Sequence, residues 1–272
     1  MQKIDGSQLI SEITLDDLQK AVGGSISFCA CVHKLRKMSG FSFVILRTGR
    51  YILQSVYSKD KCTGDFDLLC EGTYIKITGD VKEEKRANHG YEITLSSFEI
   101  LSKPAEEYPL HVSSKKLGCS IETSMAHRSV ALRHPEQRAV FKIAEGVVSA
   151  FREFMLNNNF TEIHSPKIVA AGAEGGANIF KLKYFDKDAY LAQSPQFYKQ
   201  TCVAFFDRVF EIAPVYRAEK HNSTRHLNEY IGLDFEMGFI NDMHDVMAME
   251  TAMLKYVVEY LPKHGCNIAC YQ

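Results

Sequence analysis

The sequence lacks any apolar run long enough to cross a bilayer, because a membrane-spanning helix needs about 20 consecutive apolar residues. The N-terminal stretch MQKIDGSQLISEI also lacks the apolar core of a secretory signal peptide. The net charge is only −1 at pH 7, so charge alone neither favours nor excludes a nucleic-acid partner. These absences predict a cytoplasmic protein without membrane attachment.

Zinc-site spacing is also absent, although the sequence contains eight cysteines. Cys29 and Cys31 alternate along one predicted strand, and Cys266 and Cys270 lie near the terminus without a partnering pair. Reduced thiols are therefore expected, with no metal site within this chain. The segment AAGAEGGANIF is rich in glycine but lacks the spacing of a P-loop or a dinucleotide fingerprint.

Residues 1–104 are predicted to form a small β-barrel. Turn residues separate several of its alternating segments, which are SISFCACVHKL, FSFVILR, YILQSVY, TYIKITGDV and YEITLSSFEIL. About five strands of this length suit an OB-fold. Between residues 21 and 59 there are six Lys or Arg and no acid. Basic residues interleaved with aromatic ones favour single-stranded nucleic acid binding, although a barrel with an incidentally basic edge has the same pattern.

Residues 105–135 contain prolines but no lasting periodicity, and are predicted to be a linker between domains with a short helix. From Glu136 to Asn157, apolar residues recur at helical spacing. The segment FTEIHSPKI then predicts a strand that ends at Pro166. A helix followed by a strand is common in many folds and indicates little by itself.

The stretch 209–239 predicts two strands joined by a long polar loop, since apolar and polar residues alternate on both sides of it. The loop concentrates charged and imidazole groups, namely Glu219, Lys220, His221, Arg225, His226 and Glu229. Such a loop suits an anionic, polydentate ligand such as a nucleotide. A solvated loop would account for the same residues equally well.

This stretch resembles motif 2 of the class II aminoacyl-tRNA synthetases, whose core is an Arg-x-Glu, here Arg217-Ala218-Glu219. The run RHLNEYIGLDFEM is similar to the aspartyl-tRNA synthetases of the archaeal and eukaryotic type, and the helix, strand and Pro166 resemble their motif 1. The resemblance implies an α+β multidomain chain. It would consist of an OB-fold anticodon-binding domain (1–104), a linker (105–135) and the first part of an antiparallel-sheet catalytic domain (136–272). A homodimer with Pro166 at its interface is also implied.

The resemblance implies an ATP site around motif 2, in which Arg217 is the catalytic residue and binds the α-phosphate and the attacking carboxylate. The other implied ATP contacts are Glu219 at the adenine, Arg225 and His226 near the outer phosphates, and Tyr230 where the family usually has a stacking Phe. For the tRNA acceptor end, the implied contacts are His221 and Ser223.

An aspartate site is implied by Glu174, Gln196, Lys199 and Asp234. Glu174, Gln196 and Asp234 would contact the substrate ammonium region, and Lys199 its side-chain carboxylate. The pattern itself predicts a helix capped by Ser194, with Gln196 and Lys199 on one face near its positive end. Lys199 favours aspartate over asparagine, although a solvated lysine stays an alternative.

On the barrel, the resemblance implies tRNA anticodon contacts at Arg36, Phe43, Gln54 and Glu92. Arg36 would contact a phosphate, and Phe43 would stack on an anticodon base. The plain alternatives are a core position for Phe43 and solvated strand positions for Gln54 and Glu92.

No arginine follows Arg225, and the later glycines are not clustered. The family's third motif needs an arginine and clustered glycines, and the family's Mg²⁺ ligands are expected close to that motif. The resemblance therefore covers about the first half of the family's length. The leading hypothesis is an aspartate–tRNA ligase that uses ATP, Mg²⁺, L-aspartate and tRNA(Asp), with tRNA(Asn) left open. This chain alone is predicted to form no adenylate. A catalytically silent tRNA-binding paralogue and an asparagine–tRNA ligase are the alternatives.

Overall fold

A computed structural model describes residues 13–172, 178–221, 223 and 225–264. They divide into two compact units, the first ending at Phe141 and the second beginning at Lys142. Within the described ranges, no helix is long and apolar enough to cross a membrane.

The first unit begins with α1 (Leu15–Lys20), followed by a closed five-stranded barrel. The strands are β1 (Ser25–Lys37), β2 (Ser42–Arg47), β3 (Ile52–Tyr57), β4 (Tyr74–Glu83) and β5 (Tyr91–Ser102). Their order around the barrel is β1-β2-β3-β5-β4, with β3 and β5 parallel and the other pairs antiparallel. The predicted OB-type barrel is confirmed, and each predicted segment forms one strand.

The barrel closes because every strand places apolar residues on its inner face. Val44, Leu46, Ile75, Ile77 and Leu95 are completely buried there. Gly79 lies at a register shift between β4 and β5, where a Cβ atom would lie 2.5 Å from the Thr94 carbonyl oxygen. A glycine therefore allows the two strands to approach at this bulge.

The stretch predicted as a linker packs within the first unit. It contains two short helices, α2 (Ile121–Ala126) and α3 (Arg128–Ala131), and its Leu110, Val112 and Ala131 form a buried cluster. Polar contacts attach it to the barrel, because Ser113 donates to Glu71 and the Arg133 carbonyl accepts a hydrogen bond from Arg47. The residues that make these contacts lie mostly outside regular helices and strands, so they leave no periodic signal in the sequence.

The second unit begins within α4 (Pro135–Asn157), because the boundary between the units falls between Phe141 and Lys142 of this helix. Its further elements are β6 (Thr161–Glu162), β7 (Ile168–Val169), β8 (Lys181–Tyr184), β9 (Lys187–Leu191), α5 (Gln196–Phe206), β10 (Arg208–Tyr216), β11 (Glu229–Met237) and α6 (Met243–Lys263). One sheet has the order β11-β10-β6, and a second has the order β7-β9-β8. Antiparallel pairing dominates, with β6 alone parallel to β10.

The core of this unit lies between α4, α6 and the β11-β10-β6 sheet. Its buried residues include Phe151, Met155, Phe160, Phe210 and Met253. Apolar residues of β11, including Leu233 and Phe235, pack against this cluster. The alternation in the sequence predicts an apolar face for Ile231, but this residue is 57% exposed.

Three boundaries differ from the sequence analysis. The strand predicted over FTEIHSPKI is interrupted, so that β6 and β7 lie on either side of residues 163–167. The α5 helix begins one residue later than predicted, at Gln196, whose amide donates to the Ser194 hydroxyl at 3.2 Å. The sequence also predicts that a helix beginning at Asp242 ends at Pro262, whereas Pro262 lies inside the last turn of α6.

Candidate functional sites

The barrel brings the four predicted anticodon residues onto adjacent strands. Arg36 on β1 is the cross-strand neighbour of Phe43 on β2, and Gln54 on β3 is the neighbour of Glu92 on β5. Ile45, two residues after Phe43 on β2, pairs with Gln54. Since side chains two residues apart point to the same side of a strand, all of these residues share one barrel face.

Glu92 is held firmly in this face. Its carboxylate accepts a hydrogen bond from the Gln54 amide at 2.6 Å and pairs with the Lys82 ammonium at 2.7 Å. Glu92 is only 6% exposed. The solvated alternative is therefore wrong for Glu92, whose buried charge is compensated by Lys82.

A cavity of about 510 Å³ opens beside Arg36 and Gln54. Its other polar and charged lining residues are His33, Lys34, Arg86, Asn88, Ser113, Ser114, Lys115, His134 and Glu136. The sequence analysis did not assign Arg86 or the linker residues to a site. An excess of cations over carboxylates around one cavity makes it suitable for a polyanion.

His33 is a buried ionisable group in this cavity that the sequence analysis missed. Burial, and next the nearby Arg47 charge, lower its pKa to about 4, so the ring is neutral at pH 7. Its Nδ1 atom has no hydrogen-bond partner among the described residues. A strand that alternates polar and apolar residues contains many polar positions, and only the fold shows which polar side chain is buried.

Phe43 contacts a second ring that was not predicted. Phe41 packs edge-on against it, with ring centroids 5.2 Å apart, and is 37% exposed. Two partly exposed rings beside basic residues form a surface on which a base can stack.

The second unit buries the lysine that was predicted to bind substrate. Lys199 on α5 is 5% exposed, and its ammonium lies 3.1 Å from the Asp234 carboxylate and 3.5 Å from that of Glu236. The alternative of a solvated Lys199 is therefore wrong. Glu236 was missed, although its position two residues after Asp234 on β11 indicates that both face the same side.

The residues of the predicted nucleotide loop also come together. The Glu219 carboxylate lies 3.7 Å from His226, the Ser223 hydroxyl lies 2.6 Å from His226 Nδ1, and the His221 and His226 rings are 5.1 Å apart. The Arg225 amide donates to the Ser223 hydroxyl. This cluster joins the residues predicted for ATP with those predicted for the tRNA acceptor end.

The end of β10 fixes the backbone of Arg217. Its amide donates to the Asn228 carbonyl at 3.0 Å, just beyond the pairing of Tyr216 with Glu229. Tyr230 is half-buried and lies opposite Val215.

Three predicted residues are not part of these clusters. Gln196 is half-buried at the first position of α5. Pro166 is exposed between β6 and β7, and Glu174 lies outside the described residues. In the part of the chain that the structure describes, no group of three or more His, Cys, Asp or Glu side chains is arranged to hold a metal ion.

The chain joins a five-stranded OB-type barrel, with a basic and aromatic face, to an α+β unit that holds a buried lysine paired with carboxylates. Residues 26–101 match the OB-fold nucleic acid binding domain, and residues 120–269 match the tRNA synthetases class II (D, K and N). The second match covers more than half of the chain. The chain belongs to the class II tRNA synthetases of the D, K and N group.

Individual relatives agree with this family. The chain is 40% identical to an aspartate–tRNA(Asp/Asn) ligase of Deinococcus radiodurans, over 90% of this chain and 55% of the relative. It is 38% identical to an aspartate–tRNA(Asp) ligase of Pyrococcus horikoshii, over 89% and 56%. The chain therefore spans little more than half the length of the curated relatives it matches.

A solved structure is similar over almost the whole chain. The asparaginyl-tRNA synthetase of Pyrococcus horikoshii, complexed with asparaginyl-adenylate, has a TM-score of 0.84 and 28% identity. The match covers 93% of this chain and 58% of that one.

Proposed function

We propose that the chain is the anticodon-binding domain and the first part of the catalytic domain of an aspartate–tRNA ligase. Such an enzyme activates L-aspartate with ATP and transfers it to the 3′ end of tRNA. The observation that carries the proposal is the buried Lys199 beside Asp234 and Glu236. The names of the relatives support it, since aspartate–tRNA ligases are about 40% identical to this chain.

Lys199 is assigned to the side-chain carboxylate of aspartate. A buried ammonium binds a carboxylate more strongly than a neutral amide, because the interaction is charge-assisted and little screened by water. Before substrate binds, the Asp234 and Glu236 carboxylates lie beside this ammonium. The substrate ammonium is assigned to Gln196, Asp234 and Glu174.

Arg217 is assigned to the α-phosphate of ATP and to the attacking carboxylate of aspartate. The carboxylate attacks the α-phosphorus, pyrophosphate leaves, and aspartyl-adenylate forms. The guanidinium offsets the negative charges that meet in this step, so no side chain has to act as a nucleophile. Glu219, Arg225, His226 and Tyr230 complete the proposed ATP contacts.

The barrel is assigned to the tRNA anticodon, with Phe43 stacking on a base, Arg36 on a phosphate, and Gln54 and Glu92 at base edges. His221 and Ser223 are assigned to the acceptor end. The proposed domains are residues 1–104, the linker 105–135 and the partial catalytic domain 136–272. The proposed enzyme is cytoplasmic and forms a homodimer through the region of Pro166. Its proposed tRNA partner is tRNA(Asp), and whether it also charges tRNA(Asn) is left open.

The amino-acid preference tests this proposal. We expect the chain to bind L-aspartate about tenfold or more tightly than L-asparagine, because a charged hydrogen-bonded pair contributes about 1.5–3 kcal/mol. The measurement is a titration of isotope-labelled protein by NMR. Lys199→Met should remove the preference, and Lys187→Met, at an exposed lysine on β9, should leave it unchanged.

An opposite preference, with L-asparagine bound more tightly, would favour an asparagine–tRNA ligase. That alternative has support from the likeness to an asparaginyl-tRNA synthetase. A chain that binds tRNA but neither amino acid would be a silent paralogue. The chain alone is expected to give no aspartate-dependent ATP–pyrophosphate exchange, and a signal would contradict that expectation.

A further inference from the structure

A buried carboxylate in the second unit has no part in the proposed substrate contacts. Glu211 on β10 is 1% exposed. It accepts hydrogen bonds from the Ser165 amide at 2.6 Å, the Ser165 hydroxyl at 2.7 Å and the Lys167 ammonium at 2.9 Å. The Lys167 ammonium also donates to the Ser165 hydroxyl at 2.8 Å. Every one of these donors comes from residues 163–167, which separate β6 from β7.

Glu211 lies where the pairing of two main-chain segments ends. The strands β6 and β10 run parallel, and Ile163 N–H donates to the Phe210 carbonyl at 2.9 Å just after β6. The next contacts between the two segments are those of the Glu211 side chain. The Glu211 carboxylate therefore joins β10 to residues 165–167, beyond the last main-chain hydrogen bond between β10 and the β6 segment.

Ala192 then connects the same two segments. Its amide donates to the Lys167 carbonyl, and its carbonyl accepts from the Tyr216 amide, both at 2.9 Å. Tyr216 precedes Arg217 directly, and Ala192 lies four residues before Gln196, the first residue of α5. Any movement of residues 165–167 away from β10 therefore also shifts Ala192 between the two parts of the proposed site.

We propose that Glu211 is a positioning residue, which fixes the distance between Arg217 and the start of α5. The inference rests on the proposed function, because those two places are the proposed ATP and aspartate contacts. A well-packed apolar pair could give equal stability at a buried position, whereas a carboxylate with three donors fixes one geometry. Correct spacing matters most for a ligand that contacts both places at once.

The probe that contacts both places is aspartyl-sulfamoyl-adenosine, a stable mimic of aspartyl-adenylate. ATP alone contacts only the Arg217 side, and L-aspartate alone reaches Arg217 only through its attacking carboxylate, so it can shift to keep that contact, whereas the mimic is held at both ends. We expect Glu211→Gln to weaken binding of the mimic about tenfold more than it weakens binding of either separate ligand. Isothermal titration of the whole chain measures all three affinities. Equal losses for the three ligands, or no loss for the mimic, would overturn the positioning role.

Glu162→Gln is the matched control, because Glu162 on β6 also pairs with a cation, at 3.0 Å from Arg152, but lies outside this connection. It should leave the ratio of the three affinities unchanged. Should Glu211→Gln fail to fold, Ser165→Ala removes one donor and keeps the main-chain one. The expected loss for the mimic is then about threefold beyond that for the separate ligands.

Amide hydrogen exchange separates this inference from the proposed function. In Glu211→Gln the amides of Ala192 and Tyr216 should exchange about tenfold faster, while those of the barrel strands keep their rates. A wild-type chain that does not bind the mimic would contradict the proposed substrate site. In that case unchanged exchange at Ala192 and Tyr216 would also overturn the positioning role.

Discussion

Individual charged residues explain more of this protein than its average composition does. Lys199, Glu211 and Glu92 are all less than a tenth exposed, and each has a charged partner within 3.1 Å. Burying a charge without such a partner would be costly. We therefore infer that these residues fix the local geometry around them.

The sequence predicts residue types at such positions better than it predicts their partners. Lys199 and Asp234 were expected in one site because of the resemblance, and the fold places them 3.1 Å apart. Glu211 and Ser165 are 46 residues apart in the chain, and no local pattern connects them. The burial of His33 depends in the same way on which side of β1 meets the linker.

His33 should make the stability of the first unit depend on pH. The unfolded chain protonates this ring near pH 6.5, whereas the folded unit does so only near pH 4. Stability is therefore expected to fall as the pH is lowered from 6.5 to 4, by about 1 kcal/mol per pH unit. His33→Gln should remove this dependence, as measured by urea unfolding at several pH values.

The control for this prediction is His111→Gln, which replaces an exposed histidine of the same unit. Its pH dependence should match that of the unchanged protein. A His33→Gln variant that loses stability between pH 6.5 and 4 as steeply as the parent would contradict the assignment.

At the scale of elements, regular strands were predictable and irregular packing was not. The five barrel strands follow from alternating apolar residues with turn residues between several of them, and all five form. Residues 105–135 were predicted as a linker because they lack periodicity. Tyr108, Leu110 and Val112 nevertheless pack in the first unit through contacts that have no repeating spacing.

Gly72 tests how the predicted linker packs on the barrel. It has φ +90°, and a Cβ atom there would overlap the Tyr108 ring. We expect Gly72→Ala to destabilise the first unit by about 1–3 kcal/mol more than Gly40→Ala, because the clash adds to the backbone strain. Urea unfolding followed through NMR signals of the barrel measures the difference.

Gly40 is a suitable control because its φ is +88° and a Cβ atom there would meet nothing within 4 Å. Adding Tyr108→Ala to the Gly72→Ala variant should reduce the excess cost, since the overlapping ring is gone. Equal costs for the two glycine substitutions would mean that Tyr108 does not pack against the barrel as described.

At the scale of the whole molecule, the chain combines two units that are proposed to bind the two ends of one tRNA, its anticodon and its acceptor end. The barrel of the first unit has a basic and aromatic face, and the second unit has a buried lysine and a motif 2 arginine. Family membership follows from the match over residues 120–269. Since the chain spans little more than half the length of these relatives, the activity of the whole enzyme stays a proposal for this chain.

Binding of tRNA that depends on the anticodon tests the central claim most directly. The ligands are a tRNA(Asp) transcript and the same transcript with its anticodon bases replaced, titrated at two salt concentrations and followed by fluorescence anisotropy. We expect the natural anticodon to bind about tenfold or more tightly, because Phe43 holds a base by stacking so that Gln54 and Glu92 can bind its edge, which differs from base to base. A hydrogen bond to a charged group contributes about 1.5–3 kcal/mol. Both affinities should fall as salt rises.

Phe43→Ala should abolish the difference between the two transcripts, whereas Phe185→Ala, at a Phe that is 86% exposed in the second unit, should preserve it. A clear preference for the natural anticodon that disappears with Phe43 is the result that the account predicts. Equal affinity of the unchanged protein for both transcripts would contradict it.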